Sequence, residues 1–134
     1  MTLAPLLVSA VAVVRHRRVL MVTSRGRDVY YMPGGKIDPG ETAAEAAARE
    51  AEEEVALVLD ADGLTELFEV RTQAHGEPDG RQVHMTVFGA ETAAEPVASG
   101  EVDAVHWVTT ADAGRCPPAG HAVLDRLAAL GLID

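Results

Sequence analysis

The segment from Gly34 to Leu57 constrains the fold most, because two glycines lead into a strongly helical run of alanine and glutamate. Thr42, followed by Glu45 three residues later, forms a capping-box pattern, which satisfies two backbone donors at the start of a helix. This pattern predicts a helix from Thr42 to about Val55. Runs with the composition of strands lie on both sides of it, so the chain is expected to fold as a mixed sheet between helices.

Apolar and β-branched runs predict the strands. The predicted strands are residues 6–14, 19–25, 29–35, 64–73, 81–90 and 102–110. The first two are expected to form a hairpin around a short polar turn. The fourth and fifth are expected to pair antiparallel around the Gly- and Pro-rich turn 74–80.

Residues 117–131 are predicted to form a closing helix. A proline stands near its start, and Gly131 is the candidate C-cap residue. Its apolar stripe is predicted to contain Val123, Leu124, Leu127 and Leu130.

Composition and charge limit the function classes. The 134 residues are enough for one domain, predicted to span 1–134. The net charge of -10 argues against a nucleic-acid polymer as partner, because such partners require a basic surface. Cys116 is the sole cysteine, which excludes an intrachain disulfide. The apolar run from Leu3 to Val14 is too short to cross a bilayer, so we expect no membrane partner and a cytoplasmic location.

Three carboxylates crowd one face of the predicted helix. At 100° per residue, Glu50, Glu53 and Glu54 fall within about 100° of one another. Carboxylates about 5.5 Å apart repel by under ~1 kcal/mol in water, but by ~3 kcal/mol at an effective dielectric near 20. Two interpretations therefore stay open at this point: a solvated acidic surface, or a site for Mg²⁺ or Mn²⁺, which prefer oxygen ligands.

The alanines of the same helix divide into two sets. The glutamate face also carries Ala43, Ala46 and Ala47. A separate stripe, predicted to pack against the sheet, consists of Ala44, Ala48, Ala51 and Val55.

The pattern that begins at Gly35 resembles the Nudix box, the signature of the Nudix hydrolases. The matching positions are Gly35, Glu41, Arg49, Glu50, Glu53 and Glu54, within a box from Gly35 to Leu57. The resemblance implies an α/β/α sandwich of the Nudix type. It also implies a MutT-like enzyme that uses Mg²⁺, with Mn²⁺ as the alternative, to hydrolyse nucleoside diphosphate derivatives by attack of water at phosphorus.

The resemblance also implies roles for individual residues. Glu50, Glu53, Glu54 and the backbone carbonyl of Gly34 would be metal ligands. Arg49 would orient the glutamates, and Glu41 would brace the loop or reach a metal through water. Glu53, Glu50 and Glu101 are the candidates for general base. Ala56 replaces the usual late glycine of the box, which predicts a changed exit from the helix.

Substrate-contacting residues are also implied by the resemblance. Arg25, Tyr30, Gly35 and Lys36 are predicted to bind the substrate, and Arg25 stands where relatives carry a substrate-contacting arginine. Tyr30 could stack on a base or pack in the core. Arg27 and Lys36 could add positive charge against phosphate. Pro117–Gly120 resembles the Pro-Pro-Ala-Asn of members that hydrolyse 8-oxo-dGTP, with glycine in place of the base-reading asparagine.

The predicted function is an NTP or dNTP pyrophosphohydrolase that acts on a small nucleotide. The alternatives are a nucleotide-binding module without turnover, or a hydrolase of sugar nucleotides or ADP-ribose. A homodimer is left open.

Overall fold

The computed structural model describes residues 4–74 and 80–134. In this part of the chain the elements are β1 (Leu6–Ala12), β2 (Val14–Arg15), β3 (Arg18–Ser24), β4 (Gly34–Lys36), α1 (Ala43–Val55), β5 (Thr65–Gln73), β6 (Gln82–Gly89), β7 (Val102–Val108) and α2 (Pro118–Ala129). Short 3₁₀ helices span Ala61–Gly63 and Thr110–Arg115.

The described strands form two sheets. One has the order β4-β1-β6-β5 and the other the order β2-β3-β7. β1 and β6 run parallel, whereas β1 pairs antiparallel with β4, so the larger sheet is mixed, as predicted. The predicted pairing of β5 with β6 is confirmed; most of the predicted turn between them, residues 75–79, lies outside the described residues.

The two largest of the three apolar clusters among the described residues lie on opposite faces of the sheets. Along β3, Val19 and Met21 belong to the core that contains α2, whereas Leu20 and Val22 belong to the core that contains α1. β1 alternates in the same way between the two cores. This alternation places a helix on each face, so the predicted α/β/α sandwich is confirmed.

The predicted hairpin between residues 6–14 and 19–25 is confirmed only next to its turn, and most of the first run belongs to the other sheet. β1 lies between β4 and β6, and only Val14 and Arg15 pair with the start of β3. The turn between β2 and β3 consists of His16 and Arg17, which both have positive φ, 51° and 61°, as a two-residue type I′ turn requires. Because these strands are buried on both faces, no polar alternation marks where the chain changes sheet.

The predicted strand 29–35 is shorter in the structure. Tyr31 makes an isolated bridge with Val22, and regular pairing begins only at Gly34. The segment from Tyr31 to Gly34 therefore links the two sheets.

The bounds of α1 agree with the prediction, but its buried face does not. The buried residues are Ala46, Ala47, Ala51 and Val55, and Ala44 and Ala48 of the predicted stripe are only half-buried. On a helical wheel of 100° per residue, the buried face is turned about 60° from the predicted stripe toward the glutamates. Glu50 and Glu54 consequently border the core instead of projecting into water.

The predicted change in the helix exit at Ala56 is wrong. Ala56 adopts the left-handed conformation, with φ 56° and ψ 29°, in which glycine is usual. This conformation lets the amide of Leu57 donate to the carbonyl of Ala51 and places the Leu57 side chain in the core, where it is fully buried. The alanine therefore keeps the geometry of the motif at a cost of about 1–2 kcal/mol.

The closing helix α2 packs through Val123, Leu124 and Leu127, which are fully buried as predicted. Leu130 was wrongly assigned to this stripe, because it is 56% exposed. The helix has already ended there: Gly131 follows with φ 77°, and the amide of Leu132 donates to the carbonyl of Leu127.

Candidate active site

The capping box fixes the start of α1. The Thr42 side chain accepts a hydrogen bond from the Glu45 amide at 3.1 Å, and the Glu45 carboxylate accepts one from the Thr42 amide at 2.8 Å. From β1, the hydroxyl of buried Ser9 donates to the carbonyl of Ala43 at 2.7 Å. These contacts set where α1 begins relative to β4 and hence where its glutamates lie.

Arg49 is the centre of the charged network. Its Nε and one terminal nitrogen donate to the two oxygens of Glu41 at 2.8 and 2.9 Å, and its other terminal nitrogen donates to Glu50 at 2.8 Å. The guanidinium also reaches the carbonyl of Lys36 at 3.1 Å. This paired geometry needs a planar fork and holds the loop before α1 against the helix.

The Glu41 carboxylate stabilises the loop between β4 and α1. Besides Arg49, its carboxylate accepts a hydrogen bond from the Asp38 amide at 2.9 Å. The Arg49 guanidinium and this amide lower the pKa of Glu41 to about 2. Glu41 is therefore ionised at neutral pH and has both oxygens committed to structure.

Gly35 is required by the close approach of Glu50. A Cβ atom at position 35 would lie 2.6 Å from the Glu50 Oε1, so the Glu50 carboxylate would have to move away from its position beside Arg49. Only 15% of the Glu50 side chain is exposed. The glycine thus leaves the space that the Glu50 carboxylate fills.

Glu54 is hydrogen-bonded to Gly34, the first residue of the edge strand β4. Its Oε1 accepts a hydrogen bond from the Gly34 amide at 2.8 Å. In a strand the N–H and C=O of one residue point to the same side, so the Gly34 carbonyl also faces this edge. Burial, reinforced by the charges of Glu50 and Glu53, raises the pKa of Glu54 to about 7, although the Gly34 amide opposes the change.

Glu53 and Glu101 are more open. The Glu53 side chain is 58% exposed and lies 3.6 Å from Arg49. The loop before β7 binds the end of α1, where the Ser99 amide donates to the carbonyl of Glu54. Glu101 follows in this loop as an exposed residue whose carbonyl accepts from the Arg25 amide.

The donor set suits a hard divalent cation, because Glu50, Glu53, Glu54 and the Gly34 carbonyl offer only oxygens. The space that Gly35 leaves at Glu50 agrees with such a role. As the side chains stand, however, no three His, Cys, Asp or Glu residues among those described are arranged to hold a metal ion. Glu50 is turned to Arg49 and Glu54 to Gly34, so binding requires rotation of these carboxylates.

A cleft of about 410 Å³ opens beside the glutamates. Gly34 and Gly35 of the edge strand β4 and Glu54 of α1 line the cleft. Ala74, which also lines it, follows the end of the other edge strand, β5. The apolar side chains between them are Leu6, Val8, Val22, Met32, Val83, Met85, Pro117 and Ala119. The cleft has the size and mixed lining of a site for a small molecule.

Of the predicted substrate residues, Tyr30 and Gly35 line the cleft, whereas Arg25 and Lys36 do not. Tyr30 lines the cleft but is only 8% exposed, because its ring stacks on His106 and lies 4.2 Å from the Arg115 guanidinium. With both groups against the ring, little of its face is free for a base. Arg25 and Lys36 are exposed and are not among the residues that line the cleft.

Several cleft residues were not singled out from the sequence. Much of the apolar wall comes from β1 and β6, and no local pattern connects these strands. The start of α2, which was singled out as Pro117–Gly120, adds to this wall. Arg115 does not line the cleft itself, but it donates to the hydroxyl of the lining residue Tyr30 at 2.8 Å, a contact that the sequence pattern does not reveal. Gly120 also lines the cleft, and a Cβ atom there would meet the Cβ of Cys116 at 3.1 Å.

The chain is similar to proteins of known sequence and structure. A Bacillus subtilis (strain 168) protein named as a candidate 8-oxo-dGTP diphosphatase is 28% identical over 102 residues, which are 75% of this chain and 62% of that protein. The chain thus spans less than two thirds of that relative's length.

Solved structures show the same fold. The E. coli ORF135 protein superposes with a TM-score of 0.76 at 20% identity, covering 96% of this chain and 92% of that one. A MutT NUDIX hydrolase from Burkholderia pseudomallei gives a TM-score of 0.71 at 26% identity, covering 94% and 98%. The family model described as NUDIX domain matches residues 5–128. With the box, the sandwich and this match in agreement, the chain belongs to the NUDIX domain family.

Proposed function

We propose that this protein is a Mg²⁺-dependent pyrophosphohydrolase of nucleoside triphosphates, with Mn²⁺ as an alternative ion. Water attacks phosphorus, and a nucleoside monophosphate and pyrophosphate leave. The observation that carries the proposal is that one cleft joins Gly34, Gly35 and Glu54 to an apolar wall. Such a cleft can take the charged and the aromatic parts of a nucleotide together.

The chain's own residues supply most of the proposed chemistry. Glu50, Glu53, Glu54 and the Gly34 carbonyl would hold the cation, which when bound neutralises phosphate charge and lowers the pKa of the attacking water. Arg49 keeps Glu50 oriented at 2.8 Å. Glu53 is our preferred general base, because its side chain is the most exposed of the three helix glutamates, Glu50, Glu53 and Glu54. Its contact with Arg49 is also long, 3.6 Å. Glu50 and Glu101 are the alternatives.

The decisive experiment is product analysis over a panel of substrates. Purified protein is incubated with NTPs, dNTPs, ADP-ribose, a sugar nucleotide and a dinucleoside polyphosphate, with Mg²⁺ or with EDTA. We expect monophosphate and pyrophosphate from the triphosphates, with Mg²⁺ only. The exposed Glu52 offers a matched control: Glu53→Gln should lower kcat by about a hundredfold, and Glu52→Gln should not.

A binding module without turnover is the second candidate. It is favoured by the absence, among the described residues, of a ready-made metal cluster. Binding of a nucleotide in calorimetry, with no product from any member of the panel, would support it against hydrolysis.

Base discrimination is expected to be weak. The name of the Bacillus subtilis relative favours 8-oxo-dGTP, but Gly120 has no amide at the place where the related motif reads the base, and Cys116 leaves little room for one. We therefore expect kcat/KM values for dGTP and 8-oxo-dGTP within about tenfold of each other. A preference of several hundredfold would show that another residue reads the base.

The remaining predictions concern the setting of the enzyme. We propose a single domain over 1–134 that acts in the cytoplasm on small nucleotides, without a nucleic-acid polymer or a membrane as partner; a homodimer stays open. Among the described residues, neither helix has the length and apolar character needed to cross a bilayer.

A further inference from the structure

We infer that Arg27, rather than Arg25 or Lys36, binds the phosphate chain of the substrate. The inference rests on the proposed function, because it assigns one contact of a nucleotide in the same cleft. Three cations lie close to the box in the sequence, and their surroundings in the structure distinguish them.

Arg27 is the one basic residue that lines the cleft in the described part of the chain. The other charged lining residue there is Glu54, at the end where the carboxylates lie. A polyanion that enters a protein of net charge -10 needs compensating positive charge close to its path. Arg27 is in the position to provide it.

A tight turn separates the two arginines. The Arg27 amide donates to the carbonyl of Ser24 at 3.0 Å, and Gly26 between them has φ 80°, which is typical of a type II turn. Arg25 occupies the first corner of this turn, and its amide donates to the carbonyl of Glu101 at 3.1 Å. The backbone of Arg25 is therefore hydrogen-bonded to the loop before β7, and the chain turns so that Arg27 lines the cleft.

Tyr31 orients the Arg27 side chain. One terminal nitrogen of Arg27 donates to the Tyr31 hydroxyl at 3.2 Å. Tyr31 lines the same cleft and lies three residues before Gly34, on the segment that leads into β4. The hydroxyl thus holds the guanidinium beside the segment that leads into β4. The bond uses one donor of the guanidinium and leaves the others for a ligand.

The test compares glutamine variants at three exposed arginines. For Arg27→Gln we expect two constants to rise by about tenfold or more: KM for a triphosphate that the enzyme hydrolyses, and Kd for its α,β-imido analogue, which resists cleavage, in the presence of Mg²⁺. We expect kcat to change by less than about threefold. Arg25→Gln should raise both by less than about threefold. Arg18→Gln, at the start of β3 and outside the cleft, is the control for loss of charge.

Two conservative variants separate charge from geometry. Arg27→Lys should recover part of the lost affinity, because it keeps the charge but not the planar fork. Tyr31→Phe should weaken binding less than Arg27→Gln, because it removes only the hydroxyl that orients the guanidinium. Thermal melting of each variant checks that the fold is kept.

The outcomes separate this inference from the proposed function. Equal KM and Kd for Arg27→Gln and Arg25→Gln, in a protein that hydrolyses triphosphates, would overturn the inference alone. Binding without hydrolysis would overturn the proposed reaction, and the Kd values would still decide between the arginines. A wild-type protein that neither binds nor hydrolyses triphosphates would overturn both.

Discussion

Replacing Glu54 with glutamine should stabilise the metal-free protein at alkaline pH. Burial, with the charges of Glu50 and Glu53, raises the pKa of Glu54 from its ordinary value of 4.5 to about 7. Between these values the folded protein holds a proton that the unfolded chain has released. The free energy of unfolding therefore falls as the pH rises from 4.5 to 7, and it stays reduced above pH 7.

The size of the effect follows from the difference in pKa. The pKa of Glu54 is about 2.5 above its ordinary value, and at roughly 1.4 kcal/mol for each unit this sets an upper limit of about 3.5 kcal/mol above pH 8. Glutamine keeps the shape and can still accept the Gly34 hydrogen bond, but it removes the charge. We expect Glu54→Gln to gain about 1–3 kcal/mol at pH 8 and close to nothing at pH 4.5.

The assay is urea unfolding in EDTA at both pH values, followed by melting with and without Mg²⁺. The gain at pH 8 should raise the apo Tm by roughly 3–5 °C per kcal/mol. The stabilisation by Mg²⁺ should shrink, because one proposed metal ligand is lost, and kcat should fall by about a hundredfold. Glu52→Gln, at an exposed position of the same helix, is the control. A gain that is equal at both pH values, or equal in the two variants, would refute the reasoning.

Three further changes test the geometry of the box. Ala56→Gly should raise the free energy of unfolding by about 0.5–1 kcal/mol in urea, because glycine relieves the left-handed backbone at φ 56° but adds entropy to the unfolded chain; a loss would show that the strain is absent. Gly35→Ala should lower kcat by about a hundredfold, while thermal unfolding stays cooperative. Its Cβ would lie only 2.6 Å from the Glu50 Oε1 and would therefore displace the carboxylate. Wild-type turnover of this variant would contradict the close approach. Arg49→Lys should lower kcat/KM by about tenfold or more, since lysine cannot make the paired bonds to Glu41; unchanged kinetics would show that charge alone is enough.

The sequence by itself determined the elements that depend on local chemistry. The capping box at Thr42 and Glu45 predicted the start of α1, because its hydrogen bonds join residues three apart. The antiparallel pair β5 and β6, the strand β7 and the closing helix followed from composition and turn residues. The spacing of Gly35, Arg49 and the glutamates identified the family for the same reason, since the box lies within one loop and one helix.

Only the tertiary structure decided how these elements face one another. The first apolar run divides between two sheets at Val13, and burial on both faces removes the alternation that would reveal the division. The buried face of α1 includes Ala46 and Ala47, because the helix packs close to β1 and β4, and this rotation carries Glu54 toward the core and raises its pKa. Which arginine lines the cleft depends on one type II turn and on Tyr31, a contact between segments that no periodicity in the sequence encodes.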